Sequence, residues 1–268
     1  MIPRFVIDPL FRRILRPPAR TPRPLPPELA ARAEDVTISG ARPMKAWHVK
    51  PEGDCRGTVV FVHGWSSDGG RMAPLARPLI RAGFACLLVD LPGHGRTGPI
   101  EAYHAGYMVE DLRAVADHLD GVHAALLGYS FGGIGAIVAA ASDPRWAALV
   151  VLATAVGPME ATEVYLEGKG FPARWFRKTL HRTARRIVGV DPNGFRGLTH
   201  LPSLELPILF IHGTDDEVVP VEHGKRLHAA APPGLAELLL VEGAGHDALL
   251  TNVEAGRRIA AFLERVTF

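Results

Sequence analysis

Cysteine is nearly missing from this chain: Cys55 and Cys86 are the two it has in 268 residues. A disulfide framework is excluded, and without CxxC or Cys/His spacing no zinc site is implied. One bridge is the most the pair could form, and a reduced, cytoplasmic protein is the simpler reading. A surplus of one charge is missing too. Thirty basic side chains face 28 acidic ones, a formal +2. Nucleic-acid affinity rests on an excess of cations over phosphates, so no nucleic-acid partner is expected. Long apolar runs are also absent: nothing approaches the ~18 residues of a spanning helix. Near the N-terminus Pro9 and Arg12-Arg13 interrupt the apolar stretch and no small-residue cleavage pattern follows, so no secretory signal is expected.

What is present is an ordinary globular composition, 47% apolar and 22% charged. A chain of this size can bury a core without staples and is not disordered throughout. No repeat at a solenoid period is visible.

Two regions differ in texture. The first 27 residues hold eight prolines and six arginines. Residues 17–27 (PPARTPRPLPP) cannot form a helix and would be costly in a central strand, so 1–34 reads as an N-terminal arm lying on the domain. Within it Phe5, Val6, Ile7, Leu10, Phe11, Ile14 and Leu15 recur at roughly helical spacing among Arg4, Arg12, Arg13 and Arg16. Such a basic amphipathic stretch could touch an anionic membrane, but docking of its apolar face on the protein's own body is the favoured expectation.

From about Asp35 short apolar or β-branched runs alternate with longer Ala/Arg/Leu segments. Strands are expected at Val36–Ser39, Ala46–Val49, Thr58–Val62, Ala85–Val89, Ala124–Leu127, Ala148–Leu152, Pro207–Ile211 and Glu237–Val241. Helices are expected near 71–82, 105–120, 131–142, 221–230 and 247–265. Uniformly apolar strands imply burial on both faces, hence an α/β fold with an eight-stranded, mostly parallel sheet between helices. The first two strands have no helix between them and should form an antiparallel hairpin at one edge. Over fifty residues separate the sixth and seventh strands, more than a crossover needs, so about 156–203 reads as an inserted helical cap within a domain spanning 35–268.

The chemistry-bearing string is Leu126-Leu127-Gly128-Tyr129-Ser130-Phe131-Gly132-Gly133: an apolar strand, G-x-S-x-G, then an Ala-rich helix. A serine on a sharp strand-to-helix turn sits in strained backbone, and side chains two residues either side would collide. A serine hydroxyl also needs a base and an orienting acid. Among 12 histidines, position selects His246, in a glycine-rich loop after the last strand. The acid is expected in His212-Gly213-Thr214-Asp215-Asp216-Glu217-Val218-Val219-Pro220, after the seventh.

With these motifs in that order the chain resembles the α/β hydrolases, from about residue 35 to the end. The family's H-G-x-x-D-x-x-V-P pattern implies Asp216 as the acid, with Asp215 the adjacent alternative. Its H-G pair after the third strand matches His63-Gly64-Trp65, which implies an oxyanion hole made by the backbone N–H groups of Trp65 and Phe131. Asp90-Leu91-Pro92-Gly93-His94-Gly95-Arg96 is then a structural turn, and His63, His94 and His212 are structural. His181 and His200, in the cap, are expected in solvent rather than against substrate.

A serine nucleophile excludes the fold's Asp-dependent dehalogenases and epoxide hydrolases and its Cys-dependent dienelactone hydrolases. What the resemblance implies is a carboxylesterase-like serine hydrolase acting on a small-molecule ester of small or medium acyl chain, with no cofactor or metal. Thioester or amide hydrolysis, C–C hydrolysis, acyl transfer, perhydrolysis, or ligand binding with little turnover are the alternatives on the same residues. Arg174, Arg177, Lys178, Arg182, Arg185 and Arg186 are expected to form a solvated face rather than an anion site; as an anion site they would favour an anionic acyl donor such as a CoA thioester. Oligomeric state is not legible.

Overall fold

The computed structural model describes residues 4–122 and 124–266; the arm's first three residues and the domain's last two lie outside them. Each expected strand is found, with ends moved by a few residues: β1 (Ala33–Ile38), β2 (Met44–Val49), β3 (Gly57–Val62), β4 (Phe84–Asp90), β5 (Ala124–Tyr129), β6 (Trp146–Leu152), β7 (Ile208–Gly213) and β8 (Ala236–Val241). They form one eight-stranded sheet ordered β1-β2-β4-β3-β5-β6-β7-β8. From β4 to β8 all neighbours are parallel. β1 and β2 form the antiparallel hairpin at the edge, and β2 joins the rest by pairing antiparallel with β4. Every residue of β4 and β5 is buried, which is why these strands show no apolar–polar alternation.

The helices are α1 (Arg4–Leu15), α2 (Pro27–Ala30), α3 (Gly69–Arg81), α4 (Ala105–His118), α5 (Phe131–Ser142), α6 (Pro158–Glu167), α7 (Arg177–Val188), α8 (Gly197–His200), α9 (Glu222–Ala230) and α10 (Val253–Arg265). One sheet face is covered by α3 and α10 through Met72, Leu75, Leu79, Ile259 and Phe262. The other is covered by α4, α5 and α9 through Met108, Leu112, Ile137 and Leu227. The helix expected over 247–265 is broken. Residues Asp247–Thr251 form a 3-10 turn, and Asn252, in extended backbone, caps α10 by accepting from Ala255 N at 2.8 Å.

Helices α6, α7 and α8 fill the gap between β6 and β7. α6 and α7 pack against α1 as well as the body. Ile7 and Phe11 of α1, Met159 and Leu166 of α6, and Leu180 and Ala184 of α7 make a small core of their own. The N-terminal stretch is thus helical and docked, and residues 17–26 beyond it have neither helix nor strand; Pro27, expected outside any helix, instead opens α2, because a first-turn N–H has no helical acceptor to lose. Pro9 lies inside α1 on its exposed side, where the carbonyl deprived of an N–H partner can meet water. Leu15 O accepts from Tyr103 N at 2.8 Å, and Arg186 Nη1 donates to Asp8 at 2.7 Å. Both cysteines are free, Cys55 exposed and Cys86 buried. Among the described residues no helix is long and apolar enough to cross a membrane.

Candidate active site

Ser130 occupies the turn from β5 into α5 with φ 54° and ψ −119°, backbone that a residue with a side chain rarely adopts. The flanking glycines permit it. A Cβ on Gly128 would lie 2.6 Å from Gly133 Cα, and one on Gly132 would lie 2.2 Å from Val62 O. The turn is pinned by Ser130 N donating to Leu152 O at 2.8 Å and Gly133 N donating to Ser130 O at 3.1 Å. Ser130 makes no side-chain capping bond to α5. Its hydroxyl instead lies 3.0 Å from His246 Nε2.

The loop after β8 brings His246 to that position, and its Nδ1 lies 2.7 Å from Asp216 Oδ2. Asp216 is buried. Its Oδ1 accepts from the backbone N–H groups of Val218 at 2.9 Å and Val219 at 2.7 Å. Burial alone would raise this carboxyl, but hydrogen bonding with His212 and His246 outweighs it and holds the group well below the carboxylate range. An ionised Asp216 fixes the imidazole proton on Nδ1, so Nε2 accepts from the serine hydroxyl. Asp215 is exposed and accepts from Thr214 Oγ1 at 3.1 Å; it does not reach His246.

Trp65 and Phe131 line the same cavity as Ser130, their rings edge to face at 5.5 Å. Phe131 is the first residue of α5, where a backbone N–H has no acceptor within the helix. The loop bearing Trp65 is braced by buried His63, whose Nδ1 donates to Gly64 O at 2.8 Å while Nε2 accepts from Leu91 N at 3.0 Å. Burial lowers the His63 pKa, which keeps the ring in this neutral tautomer. Nearby, buried Asp90 accepts from Gly69 N at 2.7 Å and from Arg96 N and Nε at 3.1 and 2.9 Å. It acts as a tie between loops.

Three residues beside His246 are not among the expected site residues. The Tyr129 ring lies 5.1 Å from the imidazole, and its hydroxyl donates to Asp247 Oδ1 at 2.6 Å. Arg71 of α3 pairs with the other Asp247 oxygen. Adjacency to Ser130 and His246 marks Tyr129 and Asp247 in the sequence; nothing there marks Arg71.

Above Ser130 is a cavity of about 410 Å³ whose walls are mostly apolar. The sheet body contributes Trp65, Phe131 and Val219, the β6–β7 insertion Met159 and Val188, and α1 Phe11, Ile14 and Leu15. His181 and His200 do not line it, nor do the six insertion cations. Arg174 and Arg177 are engaged by Glu167 and Glu163 at 2.8 and 2.7 Å, and Arg186 by Asp8. The anionic acyl donor that those cations suggested therefore finds no support in their placement.

A serine on the elbow between a buried strand and a helix, an acid after the penultimate strand and a histidine after the last follow the order of the α/β hydrolases, and the chain belongs to that superfamily. Residues 53–192 match the family model described as serine aminopeptidase, S33, and residues 195–267 that of TAP-like protein. The chain is 28% identical over 244 residues to a pimeloyl-[acyl-carrier protein] methyl ester esterase of Xylella fastidiosa, covering 72% of this chain and 89% of that one. It is 26% identical over 258 residues to a 2-hydroxy-6-oxononadienedioate/2-hydroxy-6-oxononatrienedioate hydrolase of Cupriavidus pinatubonensis, covering 79% and 88%. In fold it is similar to a Pyrococcus furiosus esterase, with a TM-score of 0.74 at 20% identity over 95% of this chain and 98% of that one. The protein is a hydrolase.

Proposed function

We propose that this protein is a serine hydrolase cleaving carboxylic esters of small or medium acyl chain through an acyl-enzyme on Ser130. The observation that carries the reading is the hydrogen-bonded chain from Ser130 through His246 to Asp216 on the floor of a mainly apolar cavity. Nε2 of His246 takes the hydroxyl proton as Ser130 Oγ attacks the ester carbonyl, and Asp216 stabilises the imidazolium. The N–H groups of Trp65 and Phe131 receive the developing oxyanion, each worth about 2.7–4 kcal/mol if it behaves as measured donors do. The imidazolium then protonates the leaving alcohol. Water deprotonated by His246 attacks the acyl-enzyme and frees the acid. All of these groups belong to the chain, so the reaction needs no cofactor. Helices α6 and α7 serve as the cap, and the walls they share with α1 set the acyl length accepted. An ester is favoured over a C–C bond because the cavity offers apolar walls and because the Xylella relative is named an ester esterase. The two free cysteines support a cytoplasmic setting.

Hydrolysis of p-nitrophenyl acetate, butyrate, octanoate and palmitate by wild type and Ser130→Ala tests the proposal. Multiple turnovers abolished in Ser130→Ala are expected, with an optimum at short or medium chains. Turnover that survives Ser130→Ala would overturn it.

A further inference from the structure

Charge is unevenly shared in this nearly neutral molecule. Residues 1–32 and 156–203 hold 15 basic and 6 acidic side chains, whereas the remainder holds 15 basic and 22 acidic, so +9 faces −7. The two basic segments are neighbours in space, joined by the small core of α1, α6 and α7 and by the Asp8–Arg186 pair. Most of their acids are already engaged: Asp8 by Arg186, Glu160 by Arg196, Glu163 by Arg177 and Glu167 by Arg174. Arg4, Arg12 and Arg13 on α1, and Lys178, Arg182 and Arg185 on α7, are exposed and make no ion pair among the described residues.

Exposed apolar side chains gather in the same segments. Among the described residues nine large hydrophobics are exposed and five lie there; Tyr165 and Val190 line the cavity, whereas Phe5 at 80% and Trp175 at 84% exposure, with Val6, lie outside it. Single exposed apolar residues are normal on any surface. Exposed aromatics among unpaired cations, Phe5 on a helix whose other face is buried and Trp175 on the turn between α6 and α7, are the pattern of a surface lying in a membrane interface. A folded nucleic acid would use the cations but give Phe5 and the aliphatic Val6 beside it no apolar phase to enter.

We propose that the outer face of α1 and the adjoining surface of α6–α7 dock on an anionic phospholipid bilayer. The arginines and Lys178 lie against the headgroups, and Phe5 and Trp175 enter the boundary with the acyl chains. The acidic remainder is repelled by the same surface, so the charge separation selects this one orientation. The inner face of α1 carries Phe11, Ile14 and Leu15 into the cavity wall, so the docked helix lies between bilayer and cavity. The inference does not depend on which bond the enzyme cleaves.

Sedimentation of the full chain with vesicles tests it. Vesicles of phosphatidylcholine with about 30% phosphatidylglycerol should carry the protein down, and vesicles of phosphatidylcholine alone should not. Binding should fall roughly tenfold or more as NaCl rises from about 0.05 to about 0.5 M. Arg12→Glu/Arg13→Glu/Arg182→Glu/Arg185→Glu should abolish it, and Phe5→Ser/Trp175→Ser should weaken it. Both variants should keep wild-type circular dichroism and Tm, because all six side chains are exposed. The tryptophan emission of the wild type should shift to the blue on phosphatidylglycerol vesicles, and that shift should vanish in Trp175→Phe. Three results would overturn the proposal: equal binding to the two vesicle types, undiminished binding by the charge-reversed protein, or polyglutamate bound as tightly as vesicles with Phe5 and Trp175 making no difference. The last would mean an acidic polypeptide partner.

Discussion

In the sheet body two apolar clusters of 31 and 28 buried residues fill both faces of the sheet. In the assembly of α1, α6 and α7 the corresponding cluster has seven. The body holds Ser130, Asp216 and His246 on strand ends and tight loops. The assembly supplies cavity wall and outer surface with few buried contacts behind them. Local opening follows contact density, so the groups of the proposed reaction sit on the stable part and access to them on the labile part. Under that proposal one region sets the chemistry, and the other sets what reaches it.

The largest effect that would break this division lies in the body. Ser130→Ala should lower kcat for p-nitrophenyl butyrate by on the order of 10⁴-fold or more with Tm nearly unchanged, and Asp216→Asn should lower it by about 10⁴-fold. A loss under about tenfold in either would place the chemistry elsewhere.

Next is a pair of glycines, one from each region. Gly132→Ala drives a Cβ to 2.2 Å from Val62 O, while a Cβ on Gly194 of the insertion meets nothing within 4 Å. The first should cost about 3 kcal/mol in urea unfolding and the second under about 0.5. Equal costs would remove the contrast in packing.

Acid sharpens the comparison further. His94 is buried in the body between His63 and Tyr103, with rings 5.1 and 6.1 Å away. Its Nδ1 is 3.1 Å from Pro92 O, and its Nε2 has no partner among the described residues. Burial lowers its pKa from 6.5 to about 3. Below pH 6.5 the unfolded chain binds a proton that the folded one refuses, so stability falls as the pH drops from 6.5 toward 3. The slope is about 1.4 kcal/mol per pH unit for this group. Urea melts between pH 7 and 5 should show at least that decline, and His94→Gln should make it shallower, the other buried histidines such as His63 keeping their share. A variant with the wild-type slope would acquit His94.

The smallest effect belongs to the assembly. Phe11→Ala opens the cavity wall without touching Ser130. It should raise KM for p-nitrophenyl octanoate about five- to tenfold, roughly 1 kcal/mol of lost apolar contact, and leave acetate unchanged. An equal rise for both esters would mean that α1 supports the whole site rather than one wall.

What could be read in advance follows the same boundary. The strands were legible because residues such as Leu87 to Val89 and Leu126 to Leu127 are buried on both faces and leave uniform apolar runs. Ser130, Asp216 and His246 could be nominated because each stands in a short local pattern, and the structure brings the three within hydrogen-bonding distance. The break at Asn252 was hidden, since apolar spacing continues through it. Arg71 was hidden because its partner Asp247 is far along the chain. The helical periodicity of α1 could be seen, but its partner surface could not. The cations of α7 were visible as a cluster, yet nothing local revealed which of them Glu163, Glu167 and Asp8 would neutralise.

The bond between Asp8 and Arg186 spans 178 positions, and this bears on how the molecule assembles. During synthesis α1 leaves the ribosome long before α7 exists, so Ile7 and Phe11 have no home until the sheet strands through β6 have been made. Closing so long a loop is entropically costly and slow, and domains fold broadly from the N-terminus as they emerge. The first helix of this chain is thus among the last to dock. The cavity over Ser130 gains its α1 wall only at that step, so under the proposed function binding of a long acyl chain would report that folding has been completed.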